Sequence, residues 1–210
     1  GKQRACLFNL VVFTNEEKDQ EETLKMIKSS LQKFPQRLFF ISYKKNLETL
    51  SLKIAVESAN SNGEPVSSDI LFFETGQESL KNVPFALLPH LITDLPIYFY
   101  WPSPLFKHAN LMQDLAPFTT KIILDSQYTP NISSFKEIIF SLMKHQTVEI
   151  ADLNWVRSEG WRDILFHFFQ TEEKQDLLKN IISLDIEYNH KESDSIHKDS
   201  IQAFYLQQWL

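Results

Sequence analysis

A mixed, mainly parallel α/β sheet with helices on both faces, folded as one domain, is the class that this chain's pattern predicts. Two near-continuous apolar runs, ACLFNLVVF at residues 5–13 and RLFFISY at 37–43, enclose a stretch of helical periodicity. Strands buried on both faces read as such runs, and a helix between two of them is the crossover that parallel pairing needs. Strand and helix patterns then alternate again between residues 97 and 144, which indicates further parallel pairing through right-handed crossovers. The 210 residues contain no internal repeat and no low-complexity linker. A single domain over 1–210 is therefore expected, with enough chain to bury a substantial core.

Taken in order, the first run is broken only by Asn9 and reads as a buried strand. Thr14 and Glu17 have capping-box spacing for the next helix, whose acidic first turn suits the positive end of the helix dipole. Leu24, Ile27, Leu31 and Phe34 share one face of that helix, which is expected to stop at Pro35. The second apolar run follows. Residues 49–58 alternate Leu50, Leu52, Ile54 and Val56 with Ser51, Lys53, Ala55 and Glu57, the pattern of a half-exposed strand near a sheet edge. Asn62–Gly63 suits a tight reversal into a further strand at 65–75.

Pro84 and Pro89 predict a short or bent helix within residues 80–93, with Pro84 tolerated in a first turn. IYFYWP at 97–102 is apolar on both faces and belongs in the middle of the sheet. Trp101–Pro102–Ser103–Pro104 ends it abruptly, as a structural turn or as a ligand site, because ligands gather outside the carboxyl ends of parallel strands. Helices are expected at 105–115, 133–144 and 201–210, and strands at 120–125 and 181–188. Residues 189–200 read as a polar loop, and Glu172–Glu173 as solvated surface.

The stretch DLNWVRSEGWRDILFHFF at 152–169 holds two of the four tryptophans together with two arginines. Asp152 can cap a short first helix by accepting from free backbone N–H groups. After Glu159–Gly160, a second helix places Trp161, Leu165, Phe168 and Phe169 on one face, with Arg162, Asp163 and His167 largely on the other. Two indoles ask for burial and two guanidiniums for partners or water. The stretch reads as a packing node beside a candidate recognition surface.

Composition removes several function classes. A net charge of −6 argues against a general nucleic-acid binder, whose affinity depends on cationic contacts to phosphate. No apolar run reaches the roughly 18 residues that span a bilayer, so no membrane partner is expected. The N-terminus lacks the pattern of a signal peptide, and Gly1 in place of Met is expected of a trimmed tag or an excised domain. Cys6, the single cysteine, excludes an intramolecular disulfide and a multi-thiolate metal site. Inside an apolar run it reads as a buried, inert thiol, and a cytoplasmic chain is expected.

The four glycines, Gly1, Gly63, Gly76 and Gly160, are well separated, which excludes the clustered glycines of Rossmann and P-loop nucleotide sites. The histidines are scattered, with no HExxH spacing, and no serine sits in a GxSxG elbow. Asp185 and Glu187 would share one strand face, where carboxylates more often meet water. No catalytic residue, metal or cofactor is expected.

Five blocks in order carry a family resemblance: QRACLFNLVVF at 3–13, FPQRLFFI at 34–41, LLPHLITDLPIYFYWP at 87–102, KIILDS at 121–126 and DLNWVRSEGWRDIL at 152–165. With the closing FYLQQWL at 204–210, the chain resembles the OpcA family of glucose-6-phosphate dehydrogenase assembly proteins. It departs from that pattern at Tyr100, Ser103 and Glu159–Gly160, and it offers a single thiol for the cysteine-based redox control associated with the family. The resemblance implies a non-catalytic protein that binds glucose-6-phosphate dehydrogenase and favours its active oligomer.

Tryptophan and arginine dominate interface energetics. Trp155, Arg157, Trp161 and Arg162 are accordingly the expected partner contacts, with Trp101 and Pro102 as a second patch. The competing reading makes both tryptophans core and both arginines their ion-paired cover. Two rival classes stay open at this point. One is a sugar-phosphate-binding domain using Arg157, Arg162 and the strand end at 101–104; the other is a structural domain of a larger protein.

Overall fold

The computed structural model describes residues 6–15, 17–31, 33–61, 64–102, 108–129, 132–145, 148–188 and 198–210. Within them, seven strands form one sheet: β1 (Phe8–Thr14), β2 (Gln36–Tyr43), β3 (Ser51–Ser61), β4 (Glu64–Thr75), β5 (Ile97–Trp101), β6 (Lys121–Leu124) and β7 (Glu149–Asp152). Their order across the sheet is β3-β4-β2-β1-β5-β6-β7. Every neighbouring pair is parallel except β3 with β4, which form an antiparallel hairpin. The chain thus winds outward from β1 in one direction and then in the other, the doubly wound plan.

The helices are α1 (Glu17–Ser30), α2 (Val83–Leu87), α3 (Ala109–Leu115), α4 (Ile132–Leu142), α5 (Leu153–Arg157), α6 (Glu159–Phe168), α7 (Glu172–Leu178) and α8 (Lys198–Trp209). Strand side chains alternate between faces, and both faces are apolar. Val11, Phe13, Phe39, Ile41, Phe73, Phe99 and Trp101 pack under residues of α2, α3 and α4. Leu10, Val12, Leu38, Phe40 and Ile70 pack under Ile27 and Leu24 of α1. The predicted class, a mainly parallel sheet with helices on both faces, is the observed one.

The two-proline stretch behaves as its chemistry requires. Pro84 sits in the first turn of the five-residue α2, and Pro89 in the 3₁₀ turn Leu88–His90 that follows. Asn9, the polar interruption of β1, is fully buried. Its Nδ2 donates to the Ile92 carbonyl at 2.9 Å, and its Oδ1 accepts from the Ile92 N–H at 3.0 Å. The approach to β5 is thereby pinned against the end of β1.

Three expectations need correction, and one strand had no expectation at all. Thr14 does not cap α1: it closes β1, and its hydroxyl donates to the Ile41 carbonyl at 3.4 Å. Helix α1 ends at Ser30, before Pro35, which leaves Phe34 exposed. Residues 181–188 form no strand: they pair with neither edge strand, β3 or β7, and lie beside α6 and α8 instead. Strand β7 was not anticipated; its four residues lie directly before the capped helix and are too few for periodicity to register. The polar segment 189–197 and the positions 103–107 after β5 lie outside the described residues.

Candidate functional site

The carboxyl ends of β6 and β7 carry a dense polar knot. Asp125 follows β6 and is 2% exposed. It accepts from Arg157 in a two-pronged pair, Nη1 to Oδ1 at 2.9 Å and Nη2 to Oδ2 at 2.8 Å. Asn154, fully buried, adds Nδ2 bonds to Asp125 Oδ1 at 3.1 Å and to Ser126 Oγ at 2.9 Å. A buried carboxylate is tolerated only when its lone pairs are met in this way.

Asp152, the last residue of β7, is the cap that the sequence predicts. Its Oδ1 accepts from the Asn154 N–H at 3.0 Å and from the Ser126 N–H at 3.2 Å, joining the two strand ends. Its Oδ2 accepts from the Tyr205 hydroxyl of α8 at 2.7 Å. Burial, followed by the negative charge and hydrogen bond of Asp152, pushes the Tyr205 hydroxyl well above the ordinary tyrosine range. The hydrogen bond to Asp125 raises the Arg157 guanidinium further above its usual value, against the opposing effect of burial.

Over this knot lies a second layer. The Arg162 guanidinium sits 3.8 Å from the centroid of the Trp155 ring, a cation–π contact. It also donates to the Trp155 carbonyl and to Ser158 Oγ. The Trp155 ring meets Tyr205 edge-on at 5.7 Å. Four expected contact residues, Trp155, Arg157, Trp161 and Arg162, are thus on consecutive helices at one end of the sheet.

The indoles are not core. Trp155 is 39% exposed and Trp161 60% exposed, so the expectation that both need burial is corrected. Helix α6 buries none of its residues, and Ile164, Phe166 and Phe168 are exposed beside Trp161. The reason is geometric: α6 follows the short α5 out from the end of the sheet, away from the layers that cover the strands. A groove of about 740 Å³ runs between α6, residues 184–188 and α8. Trp161, Leu165, Leu184, Leu206 and Leu210 supply its apolar lining, and Asp185 and Glu187 also line it.

Trp101 and Pro102 stand elsewhere. Trp101 is fully buried, stacked on Phe13 at 4.2 Å and edge-on to Phe99 at 5.4 Å. Pro102 is buried as well. This pair presents no face to solvent, so of the six expected contact residues only those on α5 and α6 reach solvent. Cys6 is half-buried, its Sγ donates to the Phe8 carbonyl at 3.3 Å, and burial raises its thiol pKa.

Sequence reasoning missed Asp125, Asn154 and Tyr205. Asp125 had a readable signal, an acid closing the apolar KIIL strand at its carboxyl end, whereas Asn154 and Tyr205 become partners only through the fold. Ile164 falls on the same helical face as Trp161 and Phe168 and was readable from the periodicity, whereas Phe166 projects from the polar side between Glu159 and Arg162 and breaks the one-sided pattern.

Similarity to known proteins agrees with the resemblance carried by the sequence blocks. A provisionally named OxPP cycle protein OpcA of Synechococcus elongatus is 31% identical over 98 residues. That stretch is 47% of this chain and 22% of the relative's length, so the alignment reaches less than a quarter of that protein. Residues 28–138 match the family model described as the glucose-6-phosphate dehydrogenase subunit N-terminal domain. That span is just over half of the chain, and the chain belongs to this OpcA family.

Proposed function

We propose that this chain is a non-catalytic assembly factor that binds glucose-6-phosphate dehydrogenase and favours its active oligomer. The observation that carries the reading, beyond family membership, is the uncovered apolar helix α6, with Trp161 and Phe166 exposed beside the Trp155–Arg162 stack. Exposed aromatic and arginine side chains held on rigid helices are what interface hot spots require. A contiguous apolar surface of this kind marks an interaction site on an otherwise well-filled domain. Residues 159–210 also hold ten Asp and Glu against five Lys and Arg, most of the chain's net charge of −6. A complementary partner face would be apolar at its centre and basic at its rim.

To activate, the chain must bind the active state of the enzyme more tightly than the inactive one, since equal affinity shifts nothing. The polar knot serves this reading as scaffold. Asp125, Asn154 and Asp152 fix α5 against the sheet, and α5 in turn aims Trp155 and Arg162. Against the sugar-phosphate reading stands the cost to Arg157, which would have to leave Asp125 with an uncompensated charge in order to meet a phosphate.

The test is co-purification of the chain with its cognate dehydrogenase, followed by the dehydrogenase rate and elution volume with and without the chain. A raised rate together with a shift to a larger species is expected. Unchanged rate and elution at saturating chain would refute the reading, and calorimetry with glucose 6-phosphate alone should show no heat of binding.

A further inference from the structure

The sheet has one long open edge. Strand β3 pairs with β4 over its full eleven residues in one unbroken register, and no described strand pairs with its outer side. Proteins protect such edges with short strands, prolines, bulges or inward charges, because a row of unpaired N–H and C=O groups is a template for another strand. Strand β3 is neither short nor interrupted by a proline or a bulge, and the charges on its α1 face, Lys53 and Glu57, are of opposite sign. Leu52, Ile54 and Val56 share one face of it and are 40%, 64% and 55% exposed. The opposite face, toward α1, carries Lys53, Ala55 and Glu57; Glu57 pairs with Lys28 of α1 at 2.9 Å. Lys53 is largely free, reaching Glu74 only at 3.6 Å.

We propose that β3 is the edge through which two copies of this chain pair, antiparallel about a twofold axis at Ala55, giving one continuous sheet across the dimer. The charge pattern selects both the occupant and the register. With the axis at Ala55, Lys53 faces Glu57 of the second copy, and Glu57 faces Lys53. On the other face, Ile54 meets Val56 of the second copy and Val56 meets Ile54, burying the aliphatic row. An axis at Ile54 would instead set Lys53 opposite Ala55 and Glu57 opposite Ser51, giving neither charge a partner across the twofold. A twofold interface must be self-complementary, and opposite charges and β-branched pairs directly across an antiparallel ladder are the stabilising combinations. Strand β3 meets this condition with its own side chains. The inference is independent of the partner role of α6, which lies beyond the opposite, β7 edge of the sheet order.

Light scattering on the purified chain across a concentration series tests it. The expected mass is twice 24.6 kDa at high concentration. Ile54→Lys, at an already exposed position, should give the monomer mass while its circular dichroism and thermal melt stay native. Lys53→Glu should weaken dimerisation by about tenfold, because twofold symmetry duplicates each like-charge pair. The double variant Lys53→Glu/Glu57→Lys should restore it, which a merely structural role for either residue would not. A wild-type chain that stays monomeric, a dimeric Ile54→Lys variant, or a charge swap without rescue overturns the proposal. Pairing of β3 with a strand of an unrelated protein would appear as a monomer in this assay and counts against it.

Discussion

Arg157 on α5 holds Asp125, at the end of β6, through two parallel hydrogen bonds of 2.9 and 2.8 Å. The carboxylate is 2% exposed, so it depends on this guanidinium for charge compensation. Arg157→Ala leaves Asp125 with Asn154 and Gln127 as neutral donors. Breaking a buried pair is costly, and the partial exposure of Arg157 moderates that cost to about 2 kcal/mol. Arg157→Glu sets two carboxylates together and should cost more. Urea midpoints of both variants check the order; equal midpoints to wild type would show that the pair is not structural.

Tyr205 contributes stability with a defined pH window. Its hydroxyl pKa is raised in the folded chain by burial and by Asp152. A raised pKa means that the fold favours the protonated form, so the contribution is fully present below the unfolded value and fades above it. The unfolded value is about 10. Stability should therefore fall as pH rises beyond that point, and Tyr205→Phe should flatten the fall. At neutral pH the same variant loses the hydrogen bond to a carboxylate and should be less stable by about 1.5 kcal/mol. Thermal melts at neutral and alkaline pH measure both effects.

How far the sequence foretold this arrangement depends on the range of the interaction. β1, β2 and β5 were legible because strands buried on both faces are apolar throughout, and the alternation of β3 announced its edge position. The Asp152 cap is a local device and was readable from Asp152 to Asn154 alone. Residues 181–188 misled because alternation fits a half-buried strand and equally a segment that lies against helices. Leu184 and Ile186 line the α6–α8 groove instead. The exposure of Trp161 was illegible for a related reason: hydrophobicity reports what a side chain prefers, and the fold leaves α6 nothing to pack beneath. Asp125 with Arg157 spans thirty-two positions, and such a pair is visible only once β6 and β7 are neighbours.

The proposed partner surface can be separated from stability. Trp161 and Phe166 are each more than half exposed, so Trp161→Glu and Phe166→Glu should change folding stability by no more than about 0.5 kcal/mol. Their affinity for glucose-6-phosphate dehydrogenase should drop by at least about tenfold, or ~1.4 kcal/mol, as expected for aromatic anchors. Arg162→Gln should weaken binding less, since it removes the stack on Trp155 and retains polarity. Calorimetric titration of the enzyme with each folded variant decides it. Full affinity in Trp161→Glu would remove α6 from the interface.

The two described glycines should respond oppositely to alanine. At Gly76 an added Cβ would lie 1.7 Å from the Leu47 carbonyl oxygen and 3.0 Å from that of Lys44, both backbone atoms. The turn at 44–47 is itself closed by the Leu47 N–H to the Lys44 carbonyl at 3.0 Å, and Gly76 N–H donates to Ser79 Oγ at 3.0 Å. Neither side can retreat without losing a hydrogen bond, so Gly76→Ala should destabilise by more than about 3 kcal/mol. At Gly160, the second residue of α6, nothing lies within 4 Å of the added methyl. A helical glycine carries an entropic cost that alanine removes, so Gly160→Ala should stabilise by about 0.5 kcal/mol. Chemical denaturation of the two variants side by side measures the contrast; a destabilised Gly160→Ala would mean that the entry to α6 is packed more tightly than its open surroundings indicate.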